Sequence, residues 1–215
     1  MELNNNLSIE EQRRFAAKCT DCPLYKKGTQ TVYGEGPETT QVMIVGEQPG
    51  DKEDLAGRPF IGPAGKLLDF TLEAVGISRS EIYITNAVKH FNWKPAPNGK
   101  YRQSVKPTAG EIEACRQWFE RECNAIKPAL IVCLGAAAAQ AVLGKTFSIS
   151  RQHGQLISPE AGKHPYVMVT WHPSAILRSF NKKEHEQKKQ EFLEDFTKVS
   201  KLLKKIKHQK LKRAA

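Results

Sequence analysis

A chain of 215 residues with 40% hydrophobic content and ordinary glycine and proline levels can bury one sizeable core, and the sequence shows no internal repeat. No apolar run reaches the roughly eighteen residues of a membrane helix, and the amino terminus lacks a charged-then-apolar signal order, so an intracellular, cytoplasmic protein of prokaryotic type is expected, acting as a monomer away from membranes. The formal net charge of +10 and pI ≈ 9.4 suit a polyanionic partner, yet much of the excess lies between Lys182 and Arg213, where a solvated helix explains it as well as a nucleic-acid arm does.

Residues Met1 to Ile9 are polar, and Glu10 to Lys18 reads as a short helix delivering Cys19-Thr-Asp-Cys22-Pro. Five cysteines in an intracellular chain argue against a disulfide framework. A Cys-x-x-Cys pair could be a redox dithiol, half of a structural zinc site or half of an iron–sulfur site, and the motif alone does not choose. Val42 to Val45 is apolar at successive positions, as in a strand buried on both faces of a parallel sheet. It runs into Gly46-Glu-Gln-Pro-Gly-Asp51 and then Gly57-Arg-Pro-Phe-Ile-Gly-Pro-Ala-Gly65, a loop dense in glycine, proline and carboxylates, before the helical spacing of Leu67 to Val75. Ligands of such sheets bind at the carboxyl ends of strands, which places Glu47, Gln48 and Asp51 at a candidate site, with Phe60 on a stiffened loop beside them.

Glu81 to Phe91 predicts a second strand that carries Asn86 and His90 toward its end. An Asn there can donate and accept together, as the amide edge of a pyrimidine requires, though Asn is also a common turn former. From Asn92 to Thr108 the chain has no periodicity, and this long loop mixes Lys94, Lys100, Arg102 and Lys106 with Trp93 and Tyr101. That mixture suits phosphate contacts and base stacking on single-stranded nucleic acid, and also suits an ordinary surface loop. Glu111 to Ala125 reads as a helix bearing Cys115 and Cys123, Ala129 to Leu134 as a strand with Cys133 in its middle, and Gly135 to Leu143 as an alanine-rich helix. Cys123 and Cys133 read as core or surface thiols. Val167 to Thr170 is a further strand ending in Trp171-His172-Pro173-Ser174, with a helix beginning at Ala175. Alternation of this kind predicts an α/β, three-layer αβα fold around a largely parallel sheet, on which three polar strand ends converge.

Gly46–Asp51, Gly57–Gly65, Thr85-Asn-Ala-Val-Lys-His90, Leu134-Gly135 and His172-Pro-Ser174 together resemble the iron–sulfur uracil-DNA glycosylases, most closely their UdgX-type branch. The resemblance spans about Cys19 to Arg178 and divides the chain into a glycosylase-like domain, residues 1–180, and a basic, helical tail, residues 181–215. It implies an enzyme of DNA base-excision repair that flips uracil out of single- or double-stranded DNA and cleaves its bond to deoxyribose. Carried onto this sequence, Phe60 would stack on uracil, Asn86 would bond its polar edge, and Gly46 and Gln48 would line the pocket. His172 would stabilise charge on the leaving base, and Glu47 or Asp51, the resemblance not saying which, would serve the sugar or an attacking water. Ser174, Arg178, Lys100 and Arg102 would contact the DNA backbone. A four-iron, four-sulfur (4Fe-4S) cluster would be held by Cys19, Cys22, His90 and Cys115, in a folding role.

The chain departs from that branch in one loop, for Lys100-Tyr-Arg-Gln-Ser104 stands where the branch has a Lys-Arg-Arg-Ile-His-like segment whose histidine captures the deoxyribose. A serine hydroxyl without an adjacent base is a far poorer nucleophile, so the expectation is attack by water, an abasic product and a free enzyme. A covalent adduct through Ser104 or another residue is the first alternative, and a non-catalytic protein that binds uracil or single strands is the second.

Overall fold

The computed structural model describes residues 7–144, 152–157 and 165–214; of the polar amino-terminal stretch, residues 1–6 lie outside this range. In chain order the strands are β1 (Val42–Gly46), β2 (Tyr83–Asn86), β3 (Trp93–Pro95), β4 (Arg102–Ser104), β5 (Leu130–Leu134), β6 (Leu156–Ile157) and β7 (Tyr166–Thr170). The helices are α1 (Ile9–Ala16), α2 (Asp51–Ala56), α3 (Pro63–Ala74), α4 (Ala109–Ile126), α5 (Gly135–Leu143), α6 (Pro173–Leu177) and α7 (Lys182–Ala214). The main sheet has the order β2-β1-β5-β7-β6, with every neighbouring pair parallel except β6 and β7.

The apolar runs become strands because both faces of the sheet are covered. Every residue of β1, β2 and β5 is buried. Met43, Val45, Tyr83, Ile131 and Cys133 point to one side, against α1, α4 and α5. Ile44, Ile84, Val132 and Met168 point to the other, against Leu68 and Leu72 of α3 and Phe192, Phe196, Val199 and Leu203 of α7. This is the expected three-layer αβα arrangement. Helix starts are fixed locally: Ser8 with Glu11 and Thr108 with Glu111 form reciprocal capping boxes that satisfy the first free amides of α1 and α4. No helix among the described residues is long and apolar enough to cross a membrane.

Two boundaries differ from the sequence reading. The division at residue 180 separates what the fold packs together, because the apolar stripe Phe192, Phe196, Val199 and Leu203 of α7 forms part of the second layer. The stretch from Asn92 to Thr108 contains a hairpin, with Trp93 opposite Ser104, Lys94 opposite Gln103 and Pro95 opposite Arg102. Side chains outside the ladder hold this short pair. Gln48 Nε2 donates to Ser104 Oγ and to the Val105 carbonyl, each at 2.9 Å, while its Oε1 accepts from the Asn92 amide at 3.0 Å.

Candidate active site

Register decides where the site lies. Gly46 pairs with Asn86 and Leu134 with Thr170, so β1, β2, β5 and β7 end along one edge of the sheet. The residues that follow, with the α2–α3 loop and α6, line a cleft of ≈ 700 Å³, a size usual for small-molecule sites. Glu47, Gln48, Asp51, Phe60, Asn86, Ser104, His172, Ser174 and Arg178 all reach its wall.

At the floor, Asn86 is 1% exposed and its Oδ1 is buried with no hydrogen-bond partner among the described residues. An unsatisfied buried acceptor of this kind costs about 1–3 kcal/mol and calls for a donor from a ligand. Gly46 keeps the space beside it open, since a Cβ there would overlap Asn86 Oδ1 and stand 2.5 Å from Phe60 Cζ. Behind Asn86 lies a buried ion pair, in which Lys89 Nζ donates to Glu122 Oε2 at 2.7 Å, to Thr85 Oγ1 at 2.7 Å and to the Asn86 carbonyl at 2.8 Å. Glu122 accepts further from Gly34 N and the Tyr83 and Thr85 hydroxyls, so the pair is fully hydrogen-bonded and fixes the end of β2.

Phe60 adopts φ 53°, a left-handed conformation that costs a non-glycine residue about 1–3 kcal/mol. Arg79 sustains it. Its guanidinium donates to the Phe60 carbonyl at 3.2 Å and the Pro59 carbonyl at 2.8 Å, and is anchored by Asp69 at 2.7 Å. From the other side Glu53 Oε1 accepts from Gly62 N at 2.7 Å. The Phe60 ring then stands 5.9 Å from the His172 ring.

His172 is the N-cap of α6, and Gly135, at φ 84°, leaves room for it. Its Nδ1 accepts from Ser174 N at 3.1 Å and lies 2.7 Å from Ser174 Oγ. An amide N–H can only donate, so Nδ1 carries no proton and the neutral ring bears its proton on Nε2. Burial, with the charge of Arg178 adding to it, pushes the pKa of His172 down to about 4. Ser174 therefore orients the imidazole in this structure, rather than standing free for a phosphate.

The two carboxylates differ in their surroundings. Asp51 Oδ1 accepts from Arg102 Nε at 2.5 Å, and Arg102 Nη1 reaches Asp54 Oδ2 at 2.7 Å, with the guanidinium over the Phe91 and Trp93 rings. Asp51 and Arg102 thus lock the hairpin onto α2, so the Arg102 charge is spent inside the protein and not held out for DNA. Glu47 has no such partner: no donor among the described residues hydrogen-bonds its carboxylate. Burial pushes its pKa up, while Lys106 and Arg178 pull it part of the way back. Lys100 is exposed near the hairpin turn, outside the cleft wall.

Cys19, Cys22 and Cys115 gather on the other side of β2 in one apolar cluster. Burial, with the nearby Cys22 and Cys19 adding to it, raises the Cys115 thiol to about 11. Lys89 N donates to Cys115 Sγ at 3.4 Å and Trp118 Nε1 to Cys19 Sγ at 3.3 Å. The Nδ1 of His90 is buried without a hydrogen-bond partner among the described residues. Thiols that accept hydrogen bonds, with an orphaned imidazole nitrogen in the same region, are the donor chemistry an iron–sulfur cluster requires. Among the described residues, however, no three His, Cys, Asp or Glu side chains are arranged as a metal-binding group. Cys133 is fully buried in β5, and Cys123 packs near Met43.

The sequence reading gave no role to Arg79, Glu53 or the Lys89–Glu122 pair; Arg79 lies 19 residues from Phe60, and Glu122 lies 33 from Lys89. Glu53, in the loop already singled out, and Lys89, within Thr85-Asn-Ala-Val-Lys-His90, carried a local signal.

Comparison with known proteins adds family evidence. A family model described as the uracil DNA glycosylase superfamily matches residues 33–197. A type-4 uracil-DNA glycosylase of Archaeoglobus fulgidus is 37% identical over 200 residues, covering 91% of this chain and 93% of that protein. One of Thermotoga maritima is 39% identical over 189 residues, covering 87% and 91%, and one of Pyrobaculum aerophilum is 34% identical over 177 residues, covering 80% and 86%.

Proposed function

Because the chain belongs to the type-4 uracil-DNA glycosylases within the uracil-DNA glycosylase superfamily, we propose that it excises uracil from DNA by hydrolysing the N-glycosidic bond. The observation that carries this reading is the partnerless Asn86 Oδ1 in a slot held open by Gly46 and walled by Phe60. A flipped uracil offers the missing donor in its N3–H, and its face suits the Phe60 ring.

In this mechanism the C1′–N1 bond breaks with its electron pair moving onto the base. The Nε2–H of neutral His172 donates to the uracil O2 as negative charge builds there, an interaction stronger in the transition state than in the ground state. Glu47 accepts a proton from the water that attacks C1′, and its negative charge favours the cation-like sugar. Asp51 acts through Arg102, holding the β3–β4 hairpin beside the cleft. Lys106 and Arg178 lie where phosphates flanking the flipped nucleotide would pass.

Cys19, Cys22, Cys115 and His90 would hold a 4Fe-4S cluster, which would supply a cross-link between the loop after α1, the turn after β2 and α4. The chain also reads as UdgX-like with Ser104 in the place of the trapping histidine. Among the described residues Ser104 Oγ accepts from the Gln48 amide, which cannot take its proton, and this supports water as the nucleophile and an enzyme that turns over.

Uracil-containing single-stranded DNA mixed with the protein and divided between alkaline scission and heat-and-detergent denaturation tests the proposal. The expected result is alkali-labile product with no denaturation-resistant protein–DNA band. Absence of alkali-labile product would sink the glycosylase reading, and a resistant band would replace turnover by covalent capture.

A further inference from the structure

We propose that Phe180 is a stacking platform for a base flanking the flipped uracil, giving the enzyme a grip on single-stranded DNA next to its pocket; the inference rests on the glycosylase reading above. α6 begins in the cleft with Ser174 and ends with Leu177 and Arg178 on its wall. Two residues further on, Phe180 is 95% exposed, more than any other large hydrophobic side chain among the described residues. A ring left wholly in water two residues past the cleft wall has an open face to offer.

The backbone beneath the ring is fixed. Phe180 N donates to Glu184 Oε2 at 2.9 Å, Glu184 N donates to Asn181 Oδ1 at 2.9 Å, and Lys188 Nζ holds the other Glu184 oxygen at 2.6 Å. On the other side Ser179 N donates to the Ile176 carbonyl at 3.1 Å. This network makes Phe180 the residue just outside the N-cap of α7 and presents its side chain from a defined point, so little ordering is required on binding.

Charge identifies the partner. Arg178, Lys182 and Lys183, all within three residues of Phe180, are exposed, and the nearest carboxylate in the chain, Glu184, is occupied by Lys188 and the Phe180 amide. An exposed aromatic among cations, continuous with a nucleotide-sized cleft, is the pairing that single-stranded DNA recognises, with phosphates on the cations and a base on the ring. In a duplex the base flanking the flipped uracil stays paired and stacked on its other neighbour, whereas in a single strand it is unpaired and free to turn onto the ring. Phe180 therefore adds affinity for single strands with little dependence on sequence.

The test uses the full chain and a uracil-containing single strand with 2-aminopurine next to the uracil. Wild type should quench the 2-aminopurine. Phe180→Ala should abolish the quenching and weaken binding roughly 5- to 150-fold, while the single-turnover rate of uracil release at saturating DNA stays within about two-fold. Phe180→Trp should retain quenching and affinity, and Phe180→Leu should not. Unchanged single-strand affinity in Phe180→Ala, with uracil release intact, would overturn this proposal alone. Full affinity in Phe180→Leu would overturn stacking in favour of an aliphatic wedge, and equal losses on single strand and duplex would overturn the single-strand assignment. Wild-type protein that binds the strand yet releases no uracil would overturn the glycosylase reading, and this inference with it.

Discussion

Gly46→Ala is the most direct test of the base slot. The added methyl would overlap Asn86 Oδ1 and approach Phe60 Cζ to 2.5 Å and Cε2 to 2.9 Å, against the roughly 3.5–4.0 Å of an ordinary carbon contact. The Phe60 ring would have to move by about 1 Å, and its backbone, held at φ 53° by Arg79, gives it little freedom to do so. A displacement of that size commonly costs about 100-fold in rate. The fold should suffer less. Gly46 ends β1 without a positive φ, so alanine recovers about 0.5–1 kcal/mol of backbone entropy against an overpacking cost of about 1–3 kcal/mol. A net loss of up to about 2.5 kcal/mol lowers the melting temperature by no more than about 5–10 degrees in a chain of this size. Single-turnover uracil release and a thermal melt measure the two quantities separately. Release at the wild-type rate would refute the slot, and a melting point lowered by tens of degrees would show Gly46 to be structural.

The carboxylates should separate by kinetics: Glu47→Gln lowers the single-turnover rate by about 100-fold or more, whereas Asp51→Asn chiefly weakens DNA binding by freeing the Arg102 hairpin, and the reverse pattern would exchange their roles. His172 links acid sensitivity to the site. With its pKa at about 4 in the folded protein against an ordinary 6.5, the unfolded chain binds more protons between those values, so stability is fully present above pH 6.5 and falls as pH drops toward 4. At 1.36 kcal/mol per pH unit the loss is bounded at roughly 3 kcal/mol; His172→Asn should flatten the slope of melting temperature against pH in this window, and superimposable slopes would contradict a buried neutral imidazole. Lys89→Met should cost about 3–5 kcal/mol by stranding the Glu122 charge, and Lys89→Met/Glu122→Gln should recover much of it. Chemical denaturation of both variants checks this, and no recovery in the double variant would mean that Lys89 contributes through its bond to the Asn86 carbonyl.

Central strands were legible because a sheet covered on both faces requires apolar residues at successive positions, and Val42–Val45 and Leu130–Leu134 have nothing else. The cleft followed from strand ends: Glu47, Asn86 and His172 each stand at, or within two residues of, the end of a buried strand. The hairpin escaped notice because strands of three residues containing Pro95, Lys94 and Arg102 carry no alternation, and their hold comes from Gln48 and Asp51, more than forty positions away. Lysine density likewise masked the stripe of Phe192, Phe196, Val199 and Leu203, which stand three and four residues apart and face the sheet. Asp51 and Glu47 look equivalent as letters, and only the position of Arg102 distinguishes them.

The shared edge at which β1, β2, β5 and β7 end bears on how the enzyme matures. Gly46, Asn86, Gly135 and His172 come from four strand ends distributed over more than 120 residues of chain, and β5 must sit between β1 and β7 before the last can reach the first. Non-local pairings of this kind form late in folding. A nascent or half-folded chain that contains β1 and β2 would already possess Asn86 and Phe60 yet lack the imidazole. On the roles proposed above, competence to break a glycosidic bond arrives only with the final parallel strand, and a partly made chain is poorly equipped to release uracil.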